Sequence, residues 1–310
     1  MAELSIPITG AQHEISAGDY VATVTELGAN LRRLRHRDVP LITEYDAGEL
    51  PPAAAGELLL PWPNRIDGGR YSFGGQTYQL DLSEPAHGNA IHGLTRWASW
   101  QLIAVSEDTV ELGLRLLGRT GYPFCLELRA EYRLRPAAGL EVTITAHNAG
   151  VRPAPYGTGS HPYLHAGTGP VDNWTLELPA ARWLPADDRG IPSGEPQDVT
   201  GTEFDFRGGR PIGTTSLDHA LTGLTQDSGG RVWARLTSDG GSVALWAGPG
   251  YAWLQAFTGD TLGPDARRRA VAIEPMTCPP NAFVTGTDLL TIAPGTSVRH
   301  QWGLRAGTGS

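Results

Sequence analysis

Lysine is missing from this sequence of 310 residues, and all 24 of its basic residues are arginine. Schiff-base catalysis, covalent attachment of pyridoxal phosphate and the phosphate-binding ammonium of a P-loop each require a lysine side chain. Those three chemistries are therefore excluded. The arginines are outnumbered by 33 acidic residues, so the formal net charge is −9. This balance argues against nucleic acid or an anionic membrane as the main partner and favours a small molecule.

Cysteine and long apolar runs are also scarce. The two cysteines, Cys125 and Cys278, form no C-x-x-C motif and no disulfide framework, a pattern typical of a reducing cytosol. No window approaches the length of apolar sequence that crosses a membrane, and the N-terminal stretch MAELSIPITG has no basic segment leading into an apolar run. We therefore predict a soluble, cytoplasmic protein that is not exported.

Helical periodicity is the third absence. The chain contains 40 glycines and 24 prolines, both of which break helices, and no stretch shows apolar residues at helical spacing over three turns. Instead, apolar and polar residues alternate over 124–134, 140–146 and, less regularly, 298–304, as in half-buried strands. Further pairs of strand-like segments flank turn sequences at 74–75, 106–108 and 238–241, and these pairs are predicted to form hairpins.

These patterns predict an all-β fold in which two large antiparallel sheets pack as a sandwich. A jelly roll remains an alternative, and a propeller is disfavoured because no repeat of blade length is present. Residues 179–210 are rich in proline and glycine, but strand-like segments continue on both sides of them. We interpret them as a long loop within one domain that spans residues 1–310.

One carboxylate stands out in the segment AIEPMTCPPNAF, at residues 272–283. Glu274 follows a short apolar run, and Pro275, Pro279 and Pro280 come after it. These prolines are predicted to end the strand at Glu274 and to make the following segment rigid. A carboxylate held on a rigid frame at the end of a strand is a typical general base, but it could equally mark the edge of a strand.

Four further segments place polar or titratable side chains among glycines and prolines. They are LPWPNRIDG with Arg65, NAIHG with His92, YGTGSHPYLH with His161 and His165, and LDHAL with Asp218. Taken singly, each side chain could be structural: an arginine in an ion pair, a satisfied histidine, or an aspartate that starts a turn. A carboxylate and an imidazole together supply a general base and a general acid, which can move protons between two oxygens of a polyol.

Other site chemistries find less support in the sequence. His161 and His165 could share one face of a strand as metal ligands, but no third ligand appears at motif spacing, so we predict no metal. The chain has neither a P-loop nor a G-x-S-x-G nucleophile elbow. A glycosidase would need a second carboxylate in a setting as specific as that of Glu274, and Asp218 is the one candidate.

The chain contains five motifs in this order: NRIDGGRYSFGGQTY, NAIHGL, SHPYL, LDHAL and AIEPMTCPPNAF. Together they make it resemble the aldose 1-epimerases, also called galactose mutarotases. The resemblance covers nearly the whole chain. It implies a galactose-mutarotase-like β-sandwich and a cofactor-free enzyme that interconverts the α and β anomers of a free aldose such as galactose or glucose. The implied partner is therefore a monosaccharide, with no nucleic acid and no membrane, and the protein is expected to be a monomer or a homodimer.

The same resemblance implies roles for five residues. Glu274 takes the proton from the anomeric hydroxyl, and His161 protonates the ring oxygen so that the ring opens. The aldehyde then rotates about C1–C2 and recloses with the two roles reversed. Arg65, His92 and Asp218 match the positions that bind the sugar hydroxyls and orient the ring.

The motif around His161 does not decide which sugar is the substrate. It reads GTGSHPYL, whereas the best-known members carry an N-H-T/S-Y-F type of run. This version resembles a bacterial subgroup, some of whose members are associated with sulfonated sugars, so a sulfonated hexose or a hexose 6-phosphate is an alternative substrate. Arg96 and Trp97, just after NAIHGL, could extend an anion-accepting surface. A carbohydrate-binding protein without catalysis is the alternative from another class.

Overall fold

The computed structural model describes residues 6–307. The first five and last three residues of the predicted domain 1–310 lie outside the described residues, as does the first half of the N-terminal stretch MAELSIPITG. In chain order the first strands are β1 (Gln12–Ala17), β2 (Tyr20–Thr25), β3 (Leu31–His36), β4 (Val39–Pro40), β5 (Leu58–Leu59), β6 (Arg65–Asp67), β7 (Arg70–Phe73), β8 (Gln76–Gln79), β9 (Asn89–Ile91), β10 (Gln101–Val105), β11 (Thr109–Leu116), β12 (Leu126–Arg135) and β13 (Gly139–Asn148).

The second half of the chain continues in strands. They are β14 (Ala154–Tyr156), β15 (Gly159–Ser160), β16 (Tyr163–Leu164), β17 (Thr175–Glu177), β18 (Ala180–Trp183), β19 (Gln197–Asp198), β20 (Arg210–Pro211), β21 (Asp218–Leu224), β22 (Val232–Ser238), β23 (Gly241–Ala247), β24 (Trp253–Phe257), β25 (Val271–Met276), β26 (Leu290–Ile292) and β27 (Ser297–Ala306). Within residues 6–307 the helical elements are a short helix, α1 (Ala282–Thr285), and two 3-10 turns, Pro52–Ala54 and Val171–Asn173. None of them is long and apolar enough to cross a lipid bilayer.

Two large antiparallel sheets form the body of the fold. Sheet I has nine strands in the order β10-β11-β12-β13-β27-β23-β22-β17-β20. Sheet II has eight strands: seven follow the order β19-β18-β21-β24-β25-β15-β5, and β16 pairs with β25. A four-stranded sheet, β1 to β4, and three two-stranded sheets complete the structure described. The predicted hairpins β7–β8, β10–β11 and β22–β23 are all present.

One hydrophobic core lies between the two sheets. Sheet I contributes residues such as Leu128 and Ile144, and sheet II contributes Leu254 and Ile273, all within a single buried cluster. In β12 the buried side chains occupy every second position, and β13 follows the same alternation except that Gly139 and Thr143 are buried as well, because one face of each strand packs on this core while the other faces mainly solvent. The predicted all-β sandwich is confirmed.

Two predictions about where strands end or give way to a loop are wrong. Strand β25 does not end at Glu274: it runs on through Pro275 to Met276, which pairs with Trp253 on β24. Residues two apart in a strand point their backbone N–H to the same side, and Ile273 donates its N–H to Pro162, beside β16. The missing N–H of Pro275 therefore falls on the side where β15 and β16 leave a gap, and the pairing with β24 is unaffected.

The second correction concerns residues 179–210. This segment is not one long loop, because it contains β18 and β19, and β20 begins at its end. Strand β18 pairs with β21 in sheet II, whereas β20 pairs with β17 in sheet I. The segment therefore supplies edge strands to both sheets. Its strands are two to four residues long, too short for an alternating pattern to be recognised.

Candidate functional site

Strand β25 presents Glu274 on the face of sheet II that points away from the core. Val271 and Ile273 belong to the core, so the alternation of a strand turns Ala272, Glu274 and Met276 to the opposite face. Only 2% of Glu274 is exposed, because loops cover this face. The Oε2 atom of its carboxyl group is buried and has no hydrogen-bond partner among the described residues. A buried, unpartnered carboxyl oxygen is costly to fold and suits a group that binds a ligand.

His161 lies between the short strands β15 and β16 and meets Glu274. Its backbone N–H donates to the carbonyl oxygen of Glu57 at 2.9 Å, and its carbonyl oxygen accepts from the N–H of Gly56 at 2.9 Å. Residue 56 must be a glycine, because its φ is +74° and a Cβ there would lie 2.1 Å from the carbonyl oxygen of Leu31. The imidazole Nε2 then lies 3.3 Å from Oε1 of Glu274.

Arg65 begins strand β6 and is held from two sides. Its Nε and Nη2 donate to both carboxylate oxygens of Glu84 at 2.9 to 3.2 Å. Asn89 donates to the same carboxylate at 3.0 Å. On the backbone side, the N–H of Asn281 donates to the carbonyl oxygen of Arg65 at 2.6 Å, and its side-chain oxygen accepts from the N–H of Asp67 at 3.0 Å. The PPN turn after β25 therefore fixes the strand that carries Arg65.

His92 directly follows β9 and turns back towards His161. Its backbone has a φ of +60°, a left-handed conformation that is uncommon for a residue other than glycine, and its N–H donates to the carbonyl oxygen of Asn64 at 3.0 Å. The rings of His92 and His161 lie edge to face, with 5.4 Å between their centroids. The Nδ1 atoms of both rings are buried without a partner among residues 6–307.

Asp218, at the start of β21, completes the set and is held by Gln255. The side-chain amide of Gln255 donates to Oδ1 of Asp218 at 2.7 Å. Gln255 is directly opposite Glu274 in the β24–β25 ladder, on the same face of sheet II. One amide side chain thus links the position of Asp218 to that of Glu274.

A cavity of about 330 Å³ is lined by all five residues to which the family resemblance assigned roles. Its volume is near the lower end of the range of about 300 to 1,000 Å³ found for small-molecule sites. Its lining comprises Ala53, Ala54, Asn64, Arg65, Glu84, His87, Ile91, His92, Arg96, His161, Tyr163, Asp218, Phe257, Thr261, Leu262 and Glu274. A larger neighbouring cavity, of about 520 Å³, shares Ala53, Tyr163 and Leu262 with it but has a mainly apolar lining. We therefore assign the site to the smaller cavity, where ionisable groups converge.

Burial governs the protonation of the central pair. It raises the pKa of Glu274 well above its ordinary value; the negative charge of Asp218 adds to this shift and the positive charge of Arg65 opposes it. Burial, together with the charges of Arg96 and Arg65, lowers the pKa of His161 to about 4, against an opposing contribution from its own backbone. Both shifts favour the carboxyl group of Glu274 over the imidazole of His161 as the place of a shared proton.

The protein-family model for aldose 1-epimerase matches residues 12–305, nearly the whole chain.

This chain belongs to the aldose 1-epimerase family.

Individual relatives agree with that assignment. The chain is 35% identical over 288 residues to the uncharacterized protein YihR of Escherichia coli K12, an alignment that covers 93% of this chain and 90% of YihR. It is 29% identical over 228 residues to the aldose 1-epimerase of the same organism, which covers 68% of this chain and 65% of that enzyme. The predicted membership of the family is therefore confirmed, while the relative with 35% identity carries no assigned substrate.

Solved structures of this family share the fold. The GalM/aldose epimerase homologue from C. elegans superposes with a TM-score of 0.84 at 20% identity, over 96% of this chain and 99% of that one. Galactose 1-epimerase from Lactobacillus acidophilus superposes with a TM-score of 0.79 at 20% identity, over 94% of this chain and 93% of that one. The predicted galactose-mutarotase-like fold is confirmed.

Several residues of this epimerase-family site were missed by the sequence analysis. Glu84 and Gln255 hold Arg65 and Asp218, but they are 19 and 37 residues away from them along the chain. Glu57 lies behind Arg96, whose Nη1 atom is 3.5 Å from its Oε2 atom. No local pattern marks these partners, because each contact depends on how distant strands are paired.

The histidines considered as metal ligands lie in different places. His165 lines the apolar neighbouring cavity and packs against Trp174, with 5.6 Å between the ring centroids, whereas His161 faces Glu274. Across residues 6–307, no three His, Cys, Asp or Glu side chains are grouped so that they could hold a metal ion. That the protein works without a metal stays a prediction.

Proposed function

We propose that this chain is an aldose 1-epimerase that interconverts the α and β anomers of a free aldose, with galactose and glucose as the first candidates. The observation that carries the proposal is the contact of 3.3 Å between His161 Nε2 and Glu274 Oε1, buried at the wall of a sugar-sized cavity. A protein that only binds sugars has no need for a paired acid and base. Membership of the aldose 1-epimerase family supports the same reaction.

His161 and Glu274 together carry one proton at every stage of the reaction and exchange protons with the sugar. In the reactive arrangement the proton is on His161 and the carboxyl group of Glu274 is ionised, which Arg65 favours through its positive charge. Glu274 takes the proton of the anomeric hydroxyl, and His161 protonates the ring oxygen, so the C1–O5 bond breaks and a free aldehyde forms. Rotation about C1–C2 exposes the other face, and reclosure reverses both proton transfers.

The remaining residues bind and orient the sugar. Arg65 and the neutral imidazole of His92 offer N–H donors, because burial keeps the pKa of His92 well below its ordinary value, with the charges of His161, Arg96 and Arg65 adding to the shift. Asp218 is exposed to the cavity and accepts hydrogen bonds from sugar hydroxyls. Tyr163 and Phe257 supply apolar faces against which a sugar ring packs. The proposal includes no cofactor and no metal.

An anionic aldose, either a sulfonated hexose or a hexose 6-phosphate, is the second candidate. The observation that favours it is that two arginines, Arg65 and Arg96, line one small cavity. Against it, both have a carboxylate neighbour: Glu84 clamps Arg65, and Glu57 lies 3.5 Å from Arg96. A bound anion would have to compete with those carboxylates, so we place a neutral sugar first.

Polarimetry with a panel of sugars tests the proposal. The decay of optical rotation of freshly dissolved α-galactose, α-glucose, glucose 6-phosphate and a sulfonated glucose is followed with and without protein, and again with EDTA. We expect faster decay with the neutral sugars and no effect of the chelator. Preferential acceleration of an anionic sugar would select the second candidate. Binding by calorimetry without acceleration of any sugar would indicate a carbohydrate-binding protein instead.

A further inference from the structure

Glu57 is a buried carboxyl group that the proposed reaction does not use. It precedes β5 and has no measurable exposure to solvent. Its Oε1 atom has no hydrogen-bond partner among residues 6–307, and its Oε2 atom is 3.5 Å from Nη1 of Arg96. Buried carboxyl groups are costly unless they are paired, so this position needs a reason other than stability.

The same residue touches the site twice. Its backbone carbonyl oxygen accepts the N–H of His161 at 2.9 Å, and its side chain contacts Arg96, which lines the sugar cavity. Glu57 does not line that cavity itself, so Arg96 lies between it and the sugar. The main chain of Arg96 packs closely on Gly28, where a Cβ would lie 2.7 Å from the carbonyl oxygen of Arg96. Arg96 therefore forms part of the cavity wall, with Glu57 directly behind it.

We propose that Glu57 and Arg96 form a positioning pair for the acid of this site: Glu57 holds Arg96 at the cavity wall, and the net charge of the pair sets how readily His161 keeps its proton. The inference rests on the proposed function. When Glu57 is neutral, the full charge of Arg96 disfavours the imidazolium form of His161. When Glu57 is ionised, it cancels much of that charge, and the proton is held more firmly.

Other ionisable side chains around Glu57 and Arg96 keep constant charges over the pH range in which the enzyme would work. Tyr45 and Tyr163 both feel Glu57, and burial raises the pKa of each far above neutral pH, so both phenols stay uncharged. Burial lowers the pKa of Arg65, but the hydrogen bond and charge of Glu84 and the charges of Asp218 and Glu274 outweigh this effect, so Arg65 remains cationic. Burial raises the pKa of Glu57 to about 7, against the opposing effect of Arg96, which puts its ionisation in the working range.

The test compares the pH dependence of kcat/KM in Glu57→Gln, Arg96→Met and their double variant. The profile has two limbs, a decline of kcat/KM at low pH and another at high pH. In Glu57→Gln the pH of the high-pH decline should fall by about 0.5 to 1 unit, because Arg96 is no longer neutralised there. The low-pH decline should stay where it is. In Arg96→Met the limb at low pH should move up by about the same amount. The double variant should match Arg96→Met, because without the positive charge of Arg96 the buried carboxyl group of Glu57 stays neutral, and its replacement by glutamine then changes no charge.

Two further variants test whether the shifts in the pH profile come from the charge of Arg96 or from a general change in structure. Arg96→Lys keeps the charge and should restore most of the wild-type profile. Arg115→Met removes an arginine that pairs with Glu127 at 2.8 Å on the exposed face of sheet I, and it should leave both limbs unchanged. Wild-type profiles in both Glu57→Gln and Arg96→Met would overturn the inference, as would shifts in the double variant that simply add.

A titration of the histidine rings by NMR separates this inference from the proposed function. The midpoint for His161 in the unliganded protein should rise by about 0.5 to 1 unit in Arg96→Met and stay unchanged in Glu57→Gln, since Glu57 is already neutral where His161 titrates. This readout requires no turnover. If no sugar were converted, the proposed function would fail, and an unmoved midpoint in Arg96→Met would still refute the electrostatic role of Arg96.

Discussion

Replacing Glu84 with glutamine tests how the site holds Arg65. Glu84 accepts three hydrogen bonds from the guanidinium group, at 2.9 to 3.2 Å, and one from Asn89. A glutamine of the same shape keeps at most one acceptor oxygen towards Arg65 and loses the negative charge. Arg65 should then leave the orientation in which it meets the sugar, so KM should rise more than kcat falls.

The burial of this pair decides the magnitude. Exposed ion pairs contribute about 0 to 1 kcal/mol, whereas hydrogen bonds to charged groups contribute about 1.5 to 3 kcal/mol when they are shielded from water. The side chains of Arg65 and Glu84 are 15% and 16% exposed, so the second range applies. The hydrogen bond that a displaced Arg65 no longer donates to the sugar is also a charged one of about 1.5 to 3 kcal/mol, and its loss corresponds to a decrease of about 10- to 150-fold in kcat/KM.

The assay is polarimetry over a range of sugar concentrations, with thermal unfolding measured on the same samples. Glu127→Gln is the matched control, because it breaks an Arg–Glu pair of 2.8 Å whose side chains are 68% and 44% exposed, and it should change neither KM nor Tm appreciably. A Glu84→Gln protein with the KM of the wild type would refute the reasoning that Glu84 positions Arg65.

Two other predictions follow from the same geometry. Gln255→Leu removes the 2.7 Å hydrogen bond to Asp218 and should raise KM about 5- to 10-fold with a smaller effect on kcat; an unchanged KM would mean that Asp218 needs no support. Because burial raises the pKa of Glu57 to about 7, its contribution to stability is complete below pH 4.5 and is lost as the pH rises through 7. Glu57→Gln should remove that loss, on the order of 3 kcal/mol between pH 5 and pH 8, as measured by denaturant unfolding; a parallel decline in both proteins would contradict the burial argument.

The sequence was most informative where a strand has one buried face. Strands β12 and β13 alternate because sheet I packs on the core with one side only, and their extents were predicted closely. In sheet II, all six residues of β25 and four of the five in β24 are buried, because the core covers one face and the site with its loops covers the other. Such strands have no alternation to recognise, and β24 was not predicted as a strand.

The five residues predicted for the site each lie in a segment of unusual composition, and the structure brings all five to one cavity, while their roles stay predictions. Glu274 stands among prolines and His161 among glycines, and such segments are informative without any knowledge of the fold. The supporting partners were not recognisable in this way. Gln255 reaches Asp218 only because β24 lies between β21 and β25, and the effect of Pro275 depends on a gap between β15 and β16.

The rate of mutarotation in Glu274→Gln and His161→Asn, measured by polarimetry beside the wild type, tests the central claim most directly. We expect each variant to lose about 100- to 10,000-fold in kcat while sugar binding by calorimetry is retained, because each lacks one half of the proton exchange. His165→Asn is the matched control, since it removes a histidine four residues away that lines only the neighbouring cavity, and it should keep the wild-type rate. A Glu274→Gln protein that retained most of its rate would contradict the account.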